Sequence, residues 1–156
     1  MNIPIPAGLT LLLLTCSFVH TADCAPPSQK YTLLYGEEFN VTSLSQTKFS
    51  FGFGWGTNSG SFSESNRTQN LTFENGNAVF KAENDNGYKS AAINTKANMT
   101  MKYGYWEVRA KIDKHVSGVL PAFWQKLASD IWPPELDIYE FFGTNSKQAM
   151  TVHYGT

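Results

Sequence analysis

From residue 26 onward the chain consists of short runs of alternating, β-branched and aromatic residues broken by Gly, Asn and Ser, and no helical period lasts long enough to build a helix-rich domain. That pattern predicts an all-β fold. Asn75-Gly76, between residues 71–73 and 78–82, is a strong hairpin signal because both residues tolerate positive φ. Residues 103–112 give the clearest strand. Tyr103, Tyr105, Glu107, Arg109 and Lys111 share one face, while Trp106, Val108, Ala110 and Ile112 share the other and are expected to enter a core between two sheets.

The stretch Glu135-Leu136-Asp137-Ile138-Tyr139-Glu140 puts three carboxylates into what otherwise reads as a buried strand, and acids are costly there unless they do chemistry. In a straight strand Glu135 and Asp137 share one face, Leu136 and Ile138 share the other and face the core, and Glu140 falls out of phase. A β-bulge within residues 138–141 would return Glu140 to the face of the other two acids. Five residues of strand rise about 16 Å, whereas retaining glycosidases hold their two carboxyl groups about 5–5.5 Å apart, so such a sheet must curve. Asp137 would then sit between the tips of Glu135 and Glu140 as a third charge able to separate their pKa values. Taken alone, the same spacing also fits an amphipathic strand with a solvated acidic face.

The wider segment Trp132-Pro133-Pro134-Glu135-Leu136-Asp137-Ile138-Tyr139-Glu140-Phe141-Phe142-Gly143 resembles the active-site strand of glycoside hydrolase family 16, the laminarinase and lichenase-like β-glycanases. Upstream, Tyr103-Gly104-Tyr105-Trp106-Glu107-Val108-Arg109-Ala110-Lys111-Ile112 and Pro121-Ala122-Phe123-Trp124 resemble the preceding family strands, in order. Weaker similarity runs from Tyr31 through Glu37-Glu38-Phe39 and Asn70 to Ala82. The resemblance implies a jelly-roll β-sandwich with residues 26–156 as its domain. It implies Glu135 as nucleophile, Asp137 as assisting carboxylate, and Glu140 as general acid and then general base, in a retaining hydrolysis of O-glycosidic bonds that needs no metal or redox cofactor.

In the family, the positions matching Glu107 and Arg109 contact sugar hydroxyls, a task suited to a carboxylate and a guanidinium; a salt bridge on a solvated face is the competing reading. Trp124 and Trp132 precede the acids, where flat rings can pack on pyranose faces, although core packing would use the same residues. His153 falls on the strand that follows the catalytic one in the family and is a candidate partner of substrate near Glu140, or a structural histidine. Trp55, in the glycine-rich segment 51–56, is a further candidate at the cleft edge.

Aromatic residues make up 14% of the chain and charged residues 16%, with a formal net charge of -1, which suits sugar rings as partners. No basic run is present to neutralise phosphates, which argues against nucleic acid. Residues 1–25 read as a secretory signal with an apolar core over residues 9–19, too short to span a bilayer, although a basic n-region is absent and an uncleaved anchor or a lipoprotein is the alternative. The expected location is therefore secreted, extracellular or cell wall-associated. Cys16 lies in that leader and Cys24 at its end, so no internal disulfide is expected. Sequons at Asn40, Asn66, Asn70 and Asn98 offer candidate N-glycosylation sites.

Two departures from the family pattern bear on function. Leu120 stands where many members carry another Trp, and Gln125-Lys126 replaces an apolar pair, so a stacking contact is lost. The sequence also stops soon after the catalytic strand, whereas sandwiches of this kind run to some 200 residues or more. A fragment is the expectation, with a short chain completed by a second copy or by another chain as the alternative, and a monomer if complete. The resemblance, closest to the laminarinase-type branch, implies a secreted endo-acting hydrolase of β-1,3- or β-1,3-1,4-glucan, ahead of galactans such as agar or a bacterial exopolysaccharide, against a catalytically silent glycan-binding or wall-associated relative. The calcium ion that family members often carry depends partly on late residues, so the resemblance carries no prediction of calcium here.

Overall fold

A computed structural model describes residues 31–53, 64–84, 86–142 and 147–155. The leader and Trp55 lie outside the described residues. Among the described residues ten short strands follow in chain order: β1 (Ser50–Phe51), β2 (Glu64–Asn66), β3 (Leu71–Glu74), β4 (Asn77–Phe80), β5 (Glu83–Asn84), β6 (Tyr88–Ser90), β7 (Ile93–Asn94), β8 (Ala122–Lys126), β9 (Glu135–Phe141) and β10 (Gln148–His153). Two single turns of 3-10 helix, Leu44–Gln46 and Thr68–Asn70, are the helical elements among the described residues. The chain is all-β, and its pairings are antiparallel apart from β2 on β6.

The hairpin forms where the Asn-Gly signal stands. Asn75 and Gly76 take φ of 51° and 72°, the two positive values of a type I′ turn, and Glu74 pairs with Asn77 directly across it. Phe39 packs on Phe73 of this hairpin and on Phe49, with ring centroids 6.1 and 5.8 Å apart, and so ties the early segment to it.

The strand expected over residues 103–112 does not form: no residue in it joins a ladder. A strand exists only through a neighbour that takes up its N–H and C=O groups, and alternation alone does not supply one. The apolar side of this segment does not enter a core as the alternation predicts: Val108, Ala110 and Ile112 line a hollow shared with Tyr139 and Phe141 of β9, with Val108 and Ala110 exposed. The hollow is not a closed core. Among the described residues no apolar side chain is fully buried, and Val108 is exposed.

The longest sheet has the order β10-β9-β8 and holds the three acids in its middle strand. Its face away from the acids is covered near Tyr139 and Phe141 but open near Leu136, which is 42% exposed instead of sitting in a core as expected. Met150 and Val152 of β10 flank it on that open side, at 73% and 61% exposed.

Candidate active site

The β9 ladder is irregular at the position the acid spacing requires. Opposite β8, Phe123 pairs with Tyr139 and the next residue, Trp124, pairs with Asp137, so Ile138 is the extra residue. Opposite β10, Ala149 pairs with Glu140 and Thr151 with Asp137, so the single residue Met150 faces both Ile138 and Tyr139. The bulge shifts the side-chain phase by one and brings Glu140 to the face of Glu135 and Asp137.

Three rows cross that face. Lys126, Glu135 and His153 form the first, Trp124, Asp137 and Thr151 the second, and Ala122, Glu140 and Ala149 the third. Small residues on both sides of Glu140 leave it open to a ligand. In the middle row Asp137 is 3% exposed, while its neighbours Glu135 and Glu140 are half-buried.

His153 joins this group from β10. Its Nε2 lies 3.1 Å from Asp137 Oδ2 and 3.9 Å from Glu135 Oε1. The closer contact lacks the alignment of a hydrogen bond, so Oδ2 has a partner of opposite charge when the imidazole is protonated but no hydrogen-bond donor. Trp132, 58% exposed, leans on the imidazole with ring centroids 5.5 Å apart.

The protonation of Glu140 is perturbed. Burial pushes its carboxyl above the ordinary range, the Asp137 charge pushes it further, and Glu135 adds to the effect. His153 and a hydrogen bond from Thr151 oppose the rise without cancelling it. A carboxyl whose affinity for its proton is raised is suited to give that proton to a leaving group while another carboxylate attacks.

The remaining candidates divide. Trp124 stands on the acid face in register with Asp137, and its ring packs against Phe53 at 6.3 Å. Glu107 and Arg109 are exposed on the segment that forms no strand, and Glu107 accepts a hydrogen bond from Tyr105 Oη at 2.9 Å. The sequons also divide. Asn40 and Asn98 are exposed, but Asn66 and Asn70 are buried, at 6% and 2%. Asn70 Nδ2 donates to Lys81 O at 3.2 Å and Glu83 Oε1 at 2.9 Å, so a glycan there is incompatible with this fold. A three-residue sequon carries no information about burial.

Four residues of the acid face were not among the site candidates: Thr151, which bonds Glu140, Lys126, which stands in register with Glu135, and Ala122 and Ala149, which flank Glu140. Thr151 was findable, because it lies two positions before His153 and a strand puts i and i+2 on one side.

Residues 49–156 match the model of the Glycosyl hydrolases family 16, a span that contains every residue of the acid face. The chain belongs to glycosyl hydrolases family 16. Family 16 folds as a jelly-roll β-sandwich, in keeping with the all-β chain seen here. Over 94 residues, 59% of this chain, it is 37% identical to the endo-1,3-1,4-beta-glycanase ExsH of Rhizobium meliloti (strain 1021). It is 33% identical over a stretch of the same length to the endo-1,3-1,4-beta-glycanase EglC of that bacterium. Over 150 residues, 79% of this chain, it is 29% identical to the glucan endo-1,3-beta-glucosidase A1 of Niallia circulans. The matches cover 20%, 20% and 22% of these relatives, so the chain spans about a fifth of the length of the curated relatives it matches.

Proposed function

We propose that this chain carries the catalytic strand of a secreted, retaining endo-β-glycan hydrolase acting on β-1,3- or mixed-linkage β-1,3-1,4-glucan. The observation that carries the reading is the bulge at Ile138, which gathers Glu135, Asp137 and Glu140 on one face while burial and the Asp137 charge raise the Glu140 carboxyl.

In this reading Glu140 protonates the leaving glycosidic oxygen as Glu135 attacks the anomeric carbon, which forms a glycosyl-enzyme. Glu140, now ionised, takes a proton from water, the water oxygen attacks the anomeric carbon, and Glu135 leaves as a carboxylate. Asp137 is too deeply placed to reach the sugar freely, and its charge instead helps keep the proton on Glu140 until the leaving group needs it. Trp132 offers an exposed flat ring beside His153 on which a pyranose can pack. The substrate class follows the names of the relatives, and secretion follows the apolar leader. Reducing-end release from laminarin, lichenan and agarose by the purified chain tests the reading: release from the first two supports it, and release from agarose alone moves the substrate to a galactan.

A further inference from the structure

One imidazole nitrogen and two carboxylate oxygens converge on the acid face. Glu135, Asp137 and His153 each offer one ligand atom, and the three atoms lie within 4.8 Å of one another. Donors about 2.0–2.1 Å from a tetrahedral zinc ion stand about 3.4 Å apart. The 3.1 Å between His153 Nε2 and Asp137 Oδ2 is already close to that spacing, and a side-chain rotation of Glu135 on the order of 1 Å closes the third corner. A second observation points the same way. Asp137 is 3% exposed, yet its Oδ2, aimed into the cluster, receives no hydrogen bond, and a buried carboxylate oxygen in that state gains from a cation.

We infer that Glu135, Asp137 and His153 form a divalent transition-metal site of the zinc class, and that its occupation suppresses hydrolysis. One nitrogen and two oxygens suit Zn²⁺ and its borderline neighbours, whereas Ca²⁺ takes six to eight oxygens. The ligands come from adjacent strands, Glu135 in register with His153 and Asp137 two residues further along β9, so the site is held by the ladder instead of by a loop. Glu135 and His153 are partly open to solvent, which gives the ion a way in. The binding half of this inference rests on geometry alone. The suppression half rests on the reading of Glu135 as nucleophile, because an ion on its oxygen occupies the electron pair that attacks the anomeric carbon.

The test is calorimetric titration of Zn²⁺ alone into the untagged, metal-free chain, with the visible spectrum of Co²⁺ as an independent report of tetrahedral nitrogen and oxygen ligation. The expected result is one ion per chain, bound at least about tenfold more weakly after His153→Ala or His153→Gln. His115→Ala is the control, since that ring lies outside the strands, packs on Phe141 at 5.5 Å and lines the hollow shared with Val108 and Ile112. Unchanged affinity in both His153 variants, or equal loss in the His115 variant, overturns the site. Reducing-end release should fall by half at the Zn²⁺ concentration that half-fills the site, and full release from the zinc-loaded chain overturns the suppression. A chain with no hydrolysis even without zinc sinks the hydrolase reading, while the calorimetric result still decides the site.

Discussion

His153 reaches diagonally across the β9–β10 ladder to Asp137, Nε2 lying 3.1 Å from Oδ2, although its own register partner is Glu135. The diagonal places one cationisable ring over the most buried acid of the site, and through that acid it bears on Glu140, whose carboxyl His153 lowers and Asp137 raises.

A pH dependence follows from these opposing effects. Glu140 must be protonated to act as an acid, so kcat/KM on an unactivated β-glucan should fall as pH rises, with a midpoint above the ordinary carboxyl range. His153→Ala removes the influence that lowers Glu140, so the basic limb should move to higher pH. Stability follows the same sign. A carboxyl whose folded-state value is raised contributes fully below its unfolded value, and that contribution is lost as pH rises through the raised one. A pH–rate profile of both proteins reads the shift, and a basic limb that moves downward in the variant contradicts the account.

The two outer acids are distinguishable by what restores them. Glu140→Ala should lower turnover of a β-glucan by about 10²–10⁴-fold. With an activated aryl β-glycoside and azide the same variant should release the β-glycosyl azide, because Glu135 still forms the intermediate. Glu135→Ala with azide should yield the α-azide by direct displacement. Product configuration by NMR reads the assignment, and exchanged outcomes exchange the roles.

Much of the site was legible because it follows from the period of two. The acid spacing required a bulge within residues 138–141, and the ladder has one beginning at Ile138. The Asn75-Gly76 turn was legible because φ > 0 at two successive positions admits few residue pairs. Residues 103–112 alternate as strictly as any strand, but a ladder needs a neighbour, and a sequence pattern names a face without naming a partner. Leu136 was expected inside on the same logic, and its exposure reflects the absence of a covering element at that end of the sheet among the described residues. The contact of His153 with Asp137 joins residues from two strands and could not be read from spacing within either one.

Asn70 is the most buried polar side chain of the described chain, and it ties the hairpin to β5 through Lys81 O and Glu83 Oε1. Asn70→Ala should destabilise the fold by about 1–3 kcal/mol by leaving the Lys81 carbonyl without that donor. The denaturation midpoint in urea checks this, and mass spectrometry of chain secreted from a eukaryotic host should find no glycan on Asn70.

Gly76 holds φ of 72°, and a Cβ there would come within 2.9 Å of Asn40 Oδ1. The neighbouring amide can swing away, so backbone strain dominates, and Gly76→Ala should cost about 1–2 kcal/mol. The urea midpoint is again the readout. An unchanged midpoint would mean that the hairpin adds little to the stability of the chain.

The central claim is that Glu135, Asp137 and Glu140 hydrolyse β-glucan with retention. Proton NMR of the newly released reducing end, followed from the first minutes of laminarin or lichenan hydrolysis, tests it most directly. The account predicts that the β-anomer appears first and relaxes toward the mutarotation equilibrium, and that Glu135→Gln produces neither anomer. Initial release of the α-anomer, or undiminished release by the variant, would contradict it.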